Sequence, residues 1–414
     1  MDVKIIPRRL SGVVTPPPSK SLAHRWILAA SLAAGVSTIR NLTLSEDIEA
    51  TLRCMSGFRC QWEWQDENTL KVWGCINQER DRSGLPRLDC GESGSTLRFL
   101  IPVALALEGG GEFTGRGRLM ERPLDPYFQI FDRQGISHRL EDGLLTIEGE
   151  LWPGEYRLPG NVSSQFFTGL LMALPLLDGP SAIIPTTPLE SEGYIGMTLD
   201  VMHTFGIDIA STRSLPPHYL IPGGFRYRSA EVTVEGDWSQ AAFWYAANCL
   251  GCAVNVRGVT QHSTQGDRII ESHCLELSQP GDTEIDMSGC PDLAPPVAAA
   301  AAVRRGITRL TGAARLRIKE SDRLSTIAAA LNAMGARVME YPDSLTVYGQ
   351  DSLAGGCTVD CCNDHRIAMM AAVAATRCRE PVTLLGAECV AKSYPDFWEH
   401  YRMLGGVFHE YTGK

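Results

Sequence analysis

Pro16-Pro17-Pro18-Ser19-Lys20-Ser21-Leu22-Ala23-His24-Arg25 opens a run of small and apolar residues that continues to Gly35. Prolines stiffen the approach, Ser and Lys stand where a helix would begin, and the residues beyond are apolar almost all round. The arrangement returns five more times. It follows Glu92-Ser93-Gly94-Ser95, Asn161-Val162-Ser163-Ser164-Gln165, Asp237-Trp238-Ser239-Gln240, Asp292 and Asn363-Asp364-His365-Arg366. These buried-type helices end near Gly35, Gly109, Gly179, Gly251, Gly306 and Arg379. A second, more amphipathic set ends in Gly followed by a β-like run, as at Gly135-Ile136-Ser137, Gly206-Ile207-Asp208 and Gly335-Ala336-Arg337-Val338. Glycine after the last helical turn is the expected stop. Both series advance by roughly 55–78 residues, the signature of a repeated supersecondary unit.

Strand-like runs at Leu70–Trp73, Leu144–Ile147, Tyr219–Ile221, Thr283–Met287 and Leu345–Tyr348 close most units. Each unit reads as strands alternating with one buried and one surface-facing helix, which is an α/β architecture. Six units divide most simply into three and three near residue 235, after breaks at Pro216-Pro217 and Pro222-Gly223-Gly224. A chain of 414 residues exceeds one ordinary domain, which favours the same division.

Composition narrows the function. A formal net charge of −10 argues against nucleic-acid binding, so an anionic ligand would need cations gathered locally. No stretch approaches the ~20 apolar residues of a membrane span. Met1 to Arg9 lacks the basic-then-apolar layout of a signal peptide, and a cytoplasmic protein is expected. The 13 cysteines then read as reduced thiols. Cys249 and Cys252 form one C-x-x-C pair with no second pair at zinc spacing, and no metal site is expected.

Helix N-termini carry unpaired N–H groups and the positive end of the macrodipole, so several starts bearing Lys, Arg, Ser and Gln suit a small, highly anionic ligand. Lys20, Ser21 and Arg25 lie close on one helix. The start lacks the glycine loop of a nucleotide-binding P-loop. Gly91-Glu92-Ser93-Gly94 lets backbone N–H groups approach a ligand. Thr114-Gly115-Arg116-Gly117-Arg118-Leu119-Met120-Glu121-Arg122 gathers three arginines suited to phosphate or carboxylate. Arg315-Leu316-Arg317-Ile318-Lys319-Glu320-Ser321-Asp322-Arg323 reads as a strand end, with Arg315, Arg317 and Lys319 on one face, running into a helix start. Ala391-Lys392-Ser393 adds a further cation. His365 beside Asp364 hints at a Ser–His–Asp hydrolase, but no G-x-S-x-G elbow is present.

Together and in this order, these segments resemble the 5-enolpyruvylshikimate-3-phosphate synthase family of enolpyruvyl transferases from Pro7 to Gly406. The resemblance implies two similar domains, each of three β-α-β-α-β-β units with helices packed inside, an inside-out α/β barrel. One domain would comprise 1–19 and 235–414 and the other 20–234, with the active site in the cleft between them. It implies transfer of the enolpyruvyl group of phosphoenolpyruvate to the 5-hydroxyl of shikimate 3-phosphate, releasing phosphate. This step belongs to the shikimate pathway to chorismate and the aromatic amino acids. No metal or organic cofactor is implied, nor any nucleic-acid or membrane partner, and the chain would act as a monomer.

By the same resemblance, Lys20, Ser21 and Arg25 hold the shikimate phosphate, and Lys20 also touches phosphoenolpyruvate. Ser163, Ser164 and Ser191 donate to the 3-phosphate, and Gln165 reaches both substrates. Gly94, Arg118, Arg323, Arg366 and Lys392 surround phosphoenolpyruvate. Asp292 and Lys319 meet the ring hydroxyls, Glu320 lies near the transferred carbon, and Arg315, on the acceptor side, stands where many members carry Asn. Asp292 is the expected base for the 5-hydroxyl, with Glu320 or Lys20 protonating the methylene carbon. The charge inventory agrees: two phosphates of about −1.5 to −2 each and two carboxylates bring roughly −5 to −6 into one site, which demands several cations. Glu92 and Ser95 stand where many members carry Asn and Thr, which leaves the response to donor mimics such as glyphosate open. The UDP-N-acetylglucosamine enolpyruvyl transferases are the nearest rival; they usually show Lys-Asn at the first start and a reactive Cys in the loop matching Gly115–Leu119, which here carries Arg. A non-catalytic phosphate-binding protein is the other alternative.

Overall fold

In the computed structural model, which describes residues 1–75 and 84–411, the six apolar runs and the six amphipathic runs alternate as α-helices. They are α1 (Lys20–Leu32), α2 (Glu46–Gly57), α3 (Gly94–Glu108), α4 (Asp125–Gln134), α5 (Ser164–Ala173) and α6 (Glu192–Thr204), then α7 (Trp238–Cys249), α8 (Ile270–Ser278), α9 (Ala294–Ala301), α10 (Arg323–Ala333), α11 (His365–Ala375) and α12 (Phe397–Met403). The odd-numbered helices are the buried ones. Every residue of α9 and of α11 is buried, as expected where a helix offers no polar face. Gly109 at φ 72° and Gly135 at φ 71° close α3 and α4 in the left-handed region, where a side chain would be strained.

The chain divides into two compact units, Met1–Pro17 with Gly236–Lys414, and Pro18–Glu235. The junctions fall after Pro17 and Glu235, close to but not at the expected 19/20 and 234/235. Asp237 N donates to Pro17 O within the first unit, and Ser19 N donates to Glu235 O within the second. Each unit has its own hydrophobic core, around α7, α9 and α11 in one and α1, α3 and α5 in the other.

In the 18–235 unit, three sheets share one plan. The strands run Arg87–Asp89, Gly110–Thr114, Leu144–Glu148, Ser137–Glu141 in one, and Glu155–Leu158, Ser181–Pro185, Tyr219–Ile221, Ala210–Ser211 in another. The first pair is parallel and bridged by a buried helix; the remaining pairs are antiparallel. In the third sheet the leading place beside Val36–Arg40 is taken by Glu231–Thr233, from the far end of the unit.

The other unit repeats the plan with Thr283–Asp286, Ile307–Thr311, Leu345–Tyr348, Arg337–Glu340. Its last sheet borrows the first strand of the chain: Asp2–Ile6 lies between Val382–Leu385 and Val407–Tyr411, with Ile5 opposite both Val382 and Phe408. The repeat containing α7 and α8 is abbreviated, keeping among the described residues only the parallel pair Ser11–Val14 and Ala253–Val256. Arg315 to Ile318 is not the expected strand end; Ala314–Ile318 is a 3-10 turn ahead of α10. Its tighter winding separates the three cations: Arg315 donates to Ser288 O, Arg317 to Glu340 and Asp322, and Lys319 faces Asp292.

Candidate active site

Within the 18–235 unit, buried polar contacts tie the starts of α1, α3 and α5 into one cluster. Ser19, Ser93 and Ser163 each cap a helix by accepting a backbone N–H. Each hydroxyl accepts in its cap and keeps an O–H to donate, and each first turn carries further N–H groups without an intrahelical partner. Gln165 donates from Nε2 to Ser95 Oγ at 3.0 Å and accepts at Oε1 from Arg98 Nη1 at 2.8 Å, so α3 fixes the side chain expected to reach both substrates. His24 Nδ1 meets Thr51 Oγ1 at 2.7 Å, and Thr51 meets Thr96 at 2.7 Å, linking α1 through α2 to α3. Burial, with Lys20 and Arg25 nearby, holds His24 well below the usual imidazole range, so this link is uncharged at neutral pH.

Lys20 pairs with Asp47 Oδ2 at 2.8 Å, both half-buried. Arg25 is only 2% exposed and donates to Thr198 Oγ1, Thr168 Oγ1, Tyr194 O and Ser21 O at 2.6–3.2 Å. Burial pulls this guanidinium down to about 10. It ties α1 to α5 and α6. Ser164 is buried in the first turn of α5, and Ser191 precedes α6 at φ 55°. The arginine loop sorts itself by geometry. Arg118 is half-exposed and lies 3.7 Å from Glu121. Arg122 instead lies against Gly94, where an added Cβ would come within 2.5 Å of Nη1, and its buried Nε has no hydrogen-bond partner among the described residues. Arg118 is the loop arginine expected at the donor, and Arg122 is the one that packs closely on a residue without a Cβ. The Glu92 carboxyl folds over Gly117, within 3.1 Å of where a Cβ would stand.

In the other unit, α9, α10 and α11 bring their N-terminal ends onto one charged cluster. Asp292, on the 3-10 turn Pro291–Leu293 ahead of α9, accepts from Arg323 Nη1 at 2.9 Å and Arg366 Nη2 at 3.0 Å, with Lys319 Nζ at 3.5 Å. Arg323 is 1% exposed and also pairs with Glu320 Oε2 and Asp364 Oδ2, both at 2.8 Å. Asp364 caps α11 through Arg366 N and accepts from Ser321 Oγ. Lys392 Nζ donates to Asn363 O at 2.7 Å. Burial works against the Asp292 carboxylate, yet Arg366, Lys319 and Arg323 outweigh it and hold the group well below the usual range. Burial, with Arg323 nearby, brings Lys319 down to about 8 against the pull of Asp292 and Glu320. Both displacements follow from burial and from the ion pairs of this one cluster.

The expected residues therefore fall in two groups: Lys20, Ser21, Arg25, Gly94, Ser163, Ser164, Gln165 and Ser191 in one unit, and Asp292, Lys319, Glu320, Arg323, Arg366 and Lys392 in the other. Arg315 is buried and turned to Ser288 O, and Arg118 lies beside Glu121 in the arginine loop. All thirteen cysteines are free thiols. No helix among the described residues is long and apolar enough to cross a membrane.

The family model of EPSP synthase (3-phosphoshikimate 1-carboxyvinyltransferase) matches residues 5–401. A Clostridium kluyveri protein named 3-phosphoshikimate 1-carboxyvinyltransferase is 45% identical, covering 99% of this chain and 99% of its own length. One of the same name from Clostridium botulinum is 44% identical over 99% of this chain and 98% of its own. The solved EPSP synthase from Acinetobacter baumannii superposes with a TM-score of 0.80 over 100% of both chains at 24% identity, a likeness of fold. The match of family model and relatives across nearly the whole length, on a chain with this repeated architecture, places it in the EPSP synthase family.

Proposed function

We propose that the chain transfers the enolpyruvyl group of phosphoenolpyruvate to the 5-hydroxyl of shikimate 3-phosphate, as a cytoplasmic monomer in the shikimate pathway. The observation that carries this reading is the cluster around Asp292, where a carboxylate sits among Arg323, Arg366 and Lys319. The first-turn N–H groups of α1 and α5, with Lys20, Ser21, Ser163, Ser164 and Ser191, take the acceptor phosphate. Gln165 is oriented by Arg98 and Ser95 to reach both substrates. Arg323, Arg366, Lys392 and Gly94 with Arg122 take the donor phosphate and carboxylate.

In the addition step the 5-oxygen attacks C2 of the donor, Asp292 accepts the hydroxyl proton, and Glu320 or Lys20 delivers a proton to the methylene carbon. The product is a tetrahedral intermediate bearing a methyl group. Elimination removes a proton from that methyl group, re-forms the double bond and expels phosphate, whose developing charge the guanidinium groups stabilise. The test is phosphate release from shikimate 3-phosphate plus phosphoenolpyruvate. Release with UDP-N-acetylglucosamine as sole acceptor, or with neither, would overturn the reading. The loop at residues 115–119 carries Arg116 and Arg118 and no Cys, which weighs against the nucleotide-sugar reaction.

A further inference from the structure

The carboxylate assigned as base is held by cations assigned to the donor. Arg323 and Arg366 each place a guanidinium nitrogen within 3.0 Å of an Asp292 oxygen, and Lys319 stands at 3.5 Å. A carboxylate gripped this firmly is a poor proton acceptor, because protonation would forfeit its attraction to three cations. The cations are equally compromised as receptors, since an internal anion already lies on them.

We infer that Asp292 is a latent base: in the free chain its carboxylate fills the anion site built by Arg323 and Arg366, and the donor's anionic groups displace it, releasing its basicity only when the donor is bound. The inference rests on the transferase reading above. Its physical content is linkage: an anion that draws Arg323 and Arg366 away from Asp292 raises the proton affinity of Asp292, and protonation of Asp292 strengthens anion binding by the same factor. The groups that face Asp292 set the size of the coupling. Arg323 comes from α10, Arg366 from α11, and Lys319 and Glu320 from the segment before α10; Asp267, on the turn Gly266–Ile269 before α8, adds a like charge. Glu320 and Asp267 oppose charge on Asp292, so they favour its protonation once the cations turn to the donor.

The consequence runs against the usual expectation for a catalytic base. Removing the charge of Asp292 should abolish turnover yet improve donor binding. Phosphoenolpyruvate titrated calorimetrically into the full chain should bind Asp292→Asn more tightly than wild type by roughly tenfold or more, the scale of one charge-assisted contact. Equal or weaker binding by the variant overturns the inference. Wild type gives a second measurement that survives a variant that does not fold. With carboxyl-labelled aspartate, the Asp292 carbon resonance, assigned by its loss in Asp292→Glu, should titrate at least about one pH unit higher under saturating phosphoenolpyruvate. An unmoved titration overturns the inference. Normal phosphate release from both substrates with no shift removes the coupling and leaves the transferase standing. A shift without any phosphate release removes the transferase and leaves the coupling.

Discussion

Asp364→Asn isolates the charge that holds the donor-side cluster in register. Asp364 is fully buried and does three things at once: it caps α11 through Arg366 N at 3.0 Å, accepts from Ser321 Oγ at 2.9 Å, and pairs with Arg323 Nε at 2.8 Å. Asparagine keeps the shape but carries no charge, and one of its two terminal atoms becomes a donor facing donors. Breaking a buried pair by neutralising one partner destabilises by about 3–5 kcal/mol. Arg323 retains Asp292 and Glu320, which places the expected loss near the lower end, about 3 kcal/mol. In urea, with a slope of about 2–3 kcal/mol per molar, the unfolding midpoint should fall by ~1 M at unchanged slope. Asp364→Ala, which also removes the cap, should fall further by about 1 kcal/mol. A shift below about 0.3 M for both variants would refute the reasoning, since Asp364 would then not be the counter-charge of Arg323.

Lys319, brought down to about 8, is charged below that pH and neutral above it. The kcat/KM of wild type, which reports the free enzyme, should therefore decline as pH rises through about 8, and Lys319→Arg should flatten that limb. Arg122→Ala should raise the KM for phosphoenolpyruvate by roughly tenfold or more, whereas half-exposed Arg118→Ala should change it by less than about threefold. Gly169→Ala tests the α3–α5 approach: its Cβ would meet Arg98 O at 2.5 Å and Pro102 Cγ at 3.0 Å, and it would press on the Tyr127 hydroxyl that donates to Arg98 O. Overpacking of this kind destabilises by about 1–3 kcal/mol, read as a lowered denaturation midpoint.

Much of the architecture was legible because period and punctuation survive without contacts. Apolar runs such as His365–Ala375, opened by a polar cap, announce buried helices, and glycines such as Gly135 announce their ends. Two features escaped. The 3-10 turn at Ala314–Ile318 shows the same alternation of charged and apolar residues as a strand edge, and only the folded backbone, which sends Arg315, Arg317 and Lys319 to different partners, distinguishes them. The approach of Arg122 to Gly94 was equally hidden, since Arg116, Arg118 and Arg122 share one loop and spacing does not say which packs there.

The repeat, the α/β class, the family resemblance and the inventory of cations follow from residue type and spacing along the chain. Folding alone closes the repeats, with Asp2–Ile6 set between strands from the far end of the chain. It alone paired Asp292 with Arg323 and Arg366, contacts that span 31 and 74 residues. Such pairings arise from the packing of helices remote in sequence, and electrostatic energy depends on the distance and burial that packing sets.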